Sequence, residues 1–307
     1  MSRRYQFEFV LLAALWGASF LFMRVAAPEF GPLPLMLLRC LVGALVLLPI
    51  AWVQRGGGRL VREARASSGR LLFAGTLNSA IPFALFGFAA LTLNAGFSSI
   101  LNATAPIFGA IVAFSWLKER LTPWRVAGLA IGVAGVVVLS WEKASFREGS
   151  AAGWAIVACL AATFCYGIAG NFAKRHLADV HPLTVATGSQ LGATIVLLVP
   201  GLAVWPQQPP SAAAWASVLA LGSACTGLAY VLFFRLIANV SASAALSVTF
   251  LIPVFGIGWG WLFLAETLDP SMLVGGAIIV LGTALATGML RPGARRAPGA
   301  SSGRTVR

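Results

Sequence analysis

Long apolar runs alternate with short polar punctuation from one end of the chain to the other. Ten of these runs approach the length a helix needs to cross a hydrocarbon core of ~30 Å. They cover residues 6–26, 32–53, 70–92, 97–117, 123–141, 151–173, 182–204, 211–235, 243–263 and 270–290. The connections are short and leave no room for a separate soluble domain. The pattern predicts an all-α polytopic membrane protein with ten transmembrane helices. A basic start before an apolar run can signal secretion, but the first run is full length and no small-x-small cleavage site follows, so it is expected to stay as an anchor.

The pattern also repeats. Residues 102–123, NATAPIFGAIVAFSWLKERLTP, share a register with residues 249–270, TFLIPVFGIGWGWLFLAETLDP. Pro106 aligns with Pro253, Glu119 with Glu266 and Pro123 with Pro270, each 147 positions apart. Gly75 and Gly222 keep that offset, while near the start of each half it becomes 150, pairing Trp16-Gly17 with Tyr166-Gly167 and Arg24 with Lys174. Spans one to five thus correspond to spans six to ten. Five is odd, so the second copy enters the membrane from the opposite side. Inverted repeats of this kind are a recurrent plan of secondary transporters, with a midplane site between the halves. The expected organisation is a first five-helix repeat in residues 1–144, a second, inverted one in 145–290, and a basic tail, 291–307, whose small polar composition predicts disorder.

Composition supports the membrane reading: 59% of residues are hydrophobic and only 10% charged, against roughly 25% charged in soluble domains. The net charge of +13 would suit nucleic acid, but its placement argues for a lipid bilayer instead. With the N-terminus inside, 18 of the 22 Lys and Arg fall in cytoplasmic segments. That is the positive-inside asymmetry, and it places both termini in the cytoplasm. The four cysteines, Cys40, Cys159, Cys165 and Cys225, lie within apolar runs without a C-x-x-C pair, so neither disulfide nor metal is expected. No cofactor motif is present.

Candidate chemistry is sparse, which makes it easier to weigh. Thr122-Pro123 and Asp269-Pro270 read as N-cap and first helical position. Pro82, Pro106 and Pro253 instead fall in mid-span and are expected to kink their helices, freeing the carbonyls of Asn78, Asn102 and Thr249. Either the kinks are satisfied locally, or the three polar side chains line a cavity, since unpaired polar groups at that depth need protein or water around them. The repeat favours the cavity. Among mid-depth aromatics, Trp16 and Tyr166 stand at equivalent positions, each before a glycine; Phe83 and Tyr230 are further candidates. Arg39 is the one basic residue well inside a span, and intramembrane charges are functional candidates by default. It could snorkel, pair with Glu29 or bind a carboxylate. Glu119 and Glu266 are expected to cap or pair at opposite membrane edges. No Asp, Glu or His lies deep within a span, so an obvious proton or sodium site is missing.

These features, with ALWGASFLFMR in the first span and the matched segments ending WLKERLTPWRVAG and LFLAETLDPSMLVGG, resemble the drug/metabolite transporter superfamily, EamA type. Within it the sequence is most similar to bacterial aromatic amino acid exporters of the YddG kind. The resemblance spans about residues 6–290. It implies a basket of helices around a central cavity lined by helices 1, 3, 4, 6, 8 and 9, in a bacterial inner membrane. Trp16, Asn78, Phe83, Asn102, Tyr166, Tyr230 and Thr249 lie on those helices and are the expected substrate-binding residues. Export of aromatic and other neutral amino acids by alternating access is the leading expectation; drug-like or other metabolites on the same fold are the alternative. An intramembrane enzyme would need a nucleophile–base pair or a metal cluster, yet His176 and His181 share one connection and no H-E-x-x-H or G-x-S-x-G accompanies them. The expected partners are a small-molecule substrate and lipid, with no nucleic acid and no obligate protein partner.

Overall fold

Helices form where the apolar runs predict them. The computed structural model describes residues 2–141, 151–240 and 245–290. Its spanning helices are α1 (Arg3–Phe30), α2 (Pro32–Arg55), α3 (Ser68–Ala89), α4 (Ala95–Leu117), α5 (Pro123–Ser140), α6 (Ala151–His176), α7 (Pro182–Ala203) and α8 (Ala212–Asn239), all long and apolar enough to cross a membrane. Two shorter apolar helices complete the bundle, α9 (Ile252–Leu264) and α10 (Pro270–Ala286). The protein is an all-α polytopic membrane protein. The expected boundary at 144/145 and the tail from 291 lie outside the described residues.

Local chemistry sets the helix ends. Asn94 and Ser211 accept backbone N–H groups at the starts of α4 and α8, and His181 does the same through Nδ1 for α7. Thr122 caps α5, accepting from the Arg125 N–H at 3.4 Å. Asp269 departs from the expectation: it occupies the N-cap position of α10, but its side chain makes no capping hydrogen bond. The main-chain carbonyl of Asp269 accepts from Met272 N–H and closes that first turn.

Four spans are less regular than their hydropathy suggests. The ladder of α3 widens into a π turn over Thr76–Ala80 just before Pro82, and α8 does so over Ser223–Leu228. α4 breaks after Asn102 and restarts at Ala105, with Pro106 second in the new helix. The ninth run is not one helix from 243 to 263. A 3-10 turn over Ser247–Phe250 precedes α9, and Pro253 again stands second. A proline lacks the donor that would continue the ladder, but is tolerated in a first turn.

Helix pairing has a regular plan. α5 packs on α10, α2 on α7 and α4 on α9; α1 packs on α9 as α6 does on α4, and α3 on α6 as α8 does on α1. Exchanging each helix for the one five places along leaves this plan unchanged. Details recur at the 147-residue offset as well. Lys118 and Ala265 both end a helix in the left-handed conformation, at φ 56° and 50°, and the N–H groups of Glu119 and Glu266 both reach back six residues at 3.2 Å. Close approach requires Gly17 and Gly167: a β-carbon at Gly17 would lie 2.6 Å from Phe255 Cβ, and one at Gly167 2.8 Å from the Phe108 carbonyl carbon. Large apolar side chains such as Leu45, Val199 and Leu262 point outward, as a lipid-facing exterior needs.

Candidate functional site

Between these helices lies a cavity of about 900 Å³. Its wall comes chiefly from α1, α3, α4, α6, α8 and the turn that leads into α9, with Arg39 of α2. At one end the rim carries Glu119, Arg125 and Lys174, the same end of the bundle to which the alternating helices bring Arg55, Arg70 and Arg235. Arg24 and Glu266, at the opposite end, do not reach the wall, which stops at Met23 on that side.

All seven residues singled out from the sequence border this cavity: Trp16, Asn78, Phe83, Asn102, Tyr166, Tyr230 and Thr249. Asn78 and Tyr230 are joined directly, the amide donating to the phenol oxygen at 2.8 Å. Thr249 donates to the Leu246 carbonyl at 2.9 Å, so its hydroxyl is satisfied within its own turn. Trp16 packs against Phe233, ring centroids 5.3 Å apart. Tyr166 stacks on Phe86 at 6.2 Å, and Phe86 meets Phe20 edge-on at 5.5 Å. Of the three prolines, Pro106 reaches the wall, while Pro82 and Pro253 do not.

Arg39 behaves differently from two of its expected alternatives. It neither snorkels nor pairs with Glu29. The residue is 5% exposed, its Nε donates to Thr226 Oγ1 at 3.1 Å, and Nη2 to Ser19 Oγ at 3.4 Å. Its guanidinium carbon lies 3.8 Å from the Phe83 ring centroid, a cation–π distance. Glu29 instead accepts from the N–H and hydroxyl of Ser211 at the start of α8. Glu29 stands at the end of α1 and Arg39 two turns into α2, so α1 leaves Glu29 at the bundle's edge while α2 turns Arg39 inward.

Both ends of the bundle carry an ion pair between helices of different halves. At the rim, Lys174 donates to Glu119. That hydrogen bond, opposed by partial desolvation, holds the Glu119 carboxyl below the usual carboxylate range. At the other end Arg24 lies 3.8 Å from Glu266 and donates to the Ala90 carbonyl at 2.7 Å. Both Glu266 oxygens accept from the Ala95 N–H at the start of α4, at 3.0 and 2.9 Å. Glu8, within the first run, is also buried; it pairs with Arg235 at 2.8 Å and Arg4 at 3.1 Å, away from the cavity.

Sequence reading missed four contributors: Ser19, Phe86, Asn171 and Thr226. Asn171 fastens α6 to α4, donating to the Gly109 carbonyl at 2.9 Å. Thr226 had a signal, since its equivalent at the 147 offset is Ser79, also a buried hydroxyl. Phe86 had one too, since its equivalent at the same offset is Phe233, also on the wall; Ser19 had none, being of a type common in any apolar helix.

The sequence profile of the EamA-like transporter family matches twice, over residues 6–141 and 153–288. The chain belongs to that family. It is therefore a multi-pass membrane protein that transports small molecules, a transporter rather than an enzyme. EamA relatives include the uncharacterized transporter YoaV of Bacillus subtilis, 25% identical over 89% of this chain and 93% of YoaV. A probable terminal-alkyne amino-acid exporter of Streptantibioticus cattleyicolor is 28% identical over 90% of this chain and 91% of that protein. The pseudopaline exporter CntI of Pseudomonas aeruginosa is 26% identical over 89% and 93% respectively. One solved crystal structure superposes with a TM-score of 0.66 over 94% of this chain and 99% of its own, at 19% identity, which establishes a shared fold.

Proposed function

We propose that this protein exports amino acids, aromatic and other neutral ones, from the cytoplasm across the bacterial inner membrane. The observation carrying this reading is the character of the cavity wall. Amide and hydroxyl groups alternate with aromatic rings, the Arg39 guanidinium stands away from the rim, and the acidic charge of Glu119 stands at the rim beside Arg125 and Lys174. Such a wall suits a zwitterion with a bulky apolar side chain better than a strongly ionic solute. A relative named as an amino-acid exporter agrees with it. The volume exceeds what one amino acid fills, and another relative is named for pseudopaline export; both features leave larger metabolites as the second reading.

Transport proceeds by alternating access between two inverted halves. Support comes from the five-place symmetry of helix pairing, the paired left-handed ends and the doubled family match. The Arg-rich end faces the cytoplasm, as the positive-inside rule requires, and both termini lie there. The described conformation is then inward-facing: the cavity meets the cytoplasm past Glu119, Arg125 and Lys174, while Arg24 and Glu266 close the far end. Cells expressing the protein and fed a phenylalanine-containing dipeptide should accumulate less internal phenylalanine than control cells. Equal internal levels would refute the assignment. Competition by lipophilic cations stronger than by neutral amino acids would favour the second reading.

A further inference from the structure

The guanidinium of Arg39 is a buried charge for which the described residues supply no counter-ion. Among the described residues no carboxylate pairs with it; their ion pairs join Arg4, Arg24, Arg55, Arg70, Lys174 and Arg235 to acidic partners. It stands about 10 Å along α2 from Pro32, at 1.5 Å per residue, in the closed half of the cavity. Taking a charge out of water costs several kcal/mol unless an opposite charge and hydrogen bonds replace the lost hydration. What Arg39 has instead is neutral: two hydroxyls, the Met23 sulfur at 3.8 Å and the face of Phe83. A guanidinium carries five N–H donors, and these partners engage three. The cavity is the remaining source of acceptors, since Arg39 forms part of its wall.

We propose that Arg39 is the carboxylate subsite of the cavity, holding the acid group of the transported molecule. The proposal rests on the amino-acid reading and adds an orientation to it. Thr226 and Ser19 fix the guanidinium from α8 and α1, and Phe83 supports its face, so the fork is held ready before a ligand arrives. A carboxylate bound there directs the attached carbon skeleton toward the Phe20, Phe86 and Tyr166 rings. An α-ammonium group on the same molecule finds acceptors in Asn78, whose amide nitrogen is already committed to Tyr230, and in Asn102, whose side chain has no hydrogen-bond partner among the described residues. An uncharged or purely cationic solute would leave the arginine without an opposite charge.

The test uses purified full-length protein and equilibrium binding of three probes: L-phenylalanine, L-phenylalaninamide and 3-phenylpropionate. Wild-type protein is expected to bind phenylalanine at least tenfold more tightly than the amide. Arg39→Gln should lower phenylalanine affinity about tenfold or more and leave the amide unchanged, while Arg39→Lys recovers part of the loss. Equal wild-type affinity for acid and amide overturns the subsite without any variant, so a folding defect in R39Q cannot protect the proposal. A loss in R39Q that is the same for acid and amide also overturns it, because that is what a purely structural arginine does. Binding of phenylpropionate but not phenylalanine, with loss in R39Q, keeps the subsite and refutes amino-acid export. Binding of none of the three overturns both.

Discussion

Removing Glu266 should open the far end of the cavity, and the structure gives a size for the effect. Its carboxylate is 13% exposed, against 37% for Glu119, and both oxygens receive the Ala95 N–H that begins α4. A hydrogen bond to a charged group contributes about 1.5–3 kcal/mol, and the position at a helix N-terminus adds up to ~1 kcal/mol. The Arg24 contact, at 3.8 Å and partly exposed, adds about 0.5 kcal/mol or less. Glu266→Ala should therefore shift the balance toward the outward-open form by roughly 2–4 kcal/mol, a factor of about 30–700 at 1.4 kcal/mol per tenfold. The exposed Lys174–Glu119 pair is worth less than about 1 kcal/mol, so Glu119→Ala should move the same balance less than about fivefold. With Cys40, Cys159, Cys165 and Cys225 replaced, Met23→Cys, at a wall residue beside Arg24, reports the opening. Its labelling by a membrane-impermeant thiol reagent supplied from the Glu266 side should accelerate strongly in E266A and little in E119A. Equal rates in the two variants, or no acceleration in E266A, would refute the view that this contact closes the far end.

Three other outcomes follow from the geometry. Gly167→Val places side-chain atoms against the Phe108 backbone; overpacking of this kind costs about 1–3 kcal/mol, and should lower both thermal stability and transport, whereas Gly170→Ala, where the space is open, should be neutral. Asn102→Ala and Thr249→Ala should reduce phenylalanine flux several-fold, about one hydrogen bond's worth, without loss of membrane insertion, and full activity in both would remove them from the site. The Glu63 carboxyl, on the connecting helix Gly57–Ala66, is held below its usual value by the Thr184 hydroxyl, against desolvation. Its contribution is complete above the unfolded value of 4.5 and is lost as pH falls from there through the lower folded value. Thermal melting across pH 7 to 3 should show that acid limb, and Glu63→Gln should flatten it.

The spans were legible because crossing a bilayer demands length and apolarity, which a sequence displays directly. The polar wall was legible for a related reason. Asn78 and Asn102 stand out where nearly every neighbour is apolar, and Trp16 and Tyr166 occupy equivalent positions in the two halves. What stayed hidden depends on which helices touch. Nothing in the sequence near Arg39 points to Thr226, 187 residues away, so the nearer Glu29 stood among its alternatives and Thr226 did not. Glu29 proved to be needed at Ser211, an equally distant position. The broken fourth helix and the widened third both stand just before a visible proline, but α8 widens over Ser223–Leu228 with no proline beside it, so the proline alone does not foretell the kind of irregularity.

The most direct test is exchange of radiolabelled phenylalanine into proteoliposomes preloaded with unlabelled phenylalanine, run with and without a pH gradient. The proposed transporter should take up label well above protein-free liposomes, and excess leucine or methionine should compete. Among the described residues no acidic side chain lies deep in the cavity, so uptake should continue when the pH gradient is absent. Vesicles that exchange no phenylalanine, or no other neutral amino acid in the same panel, would contradict the account.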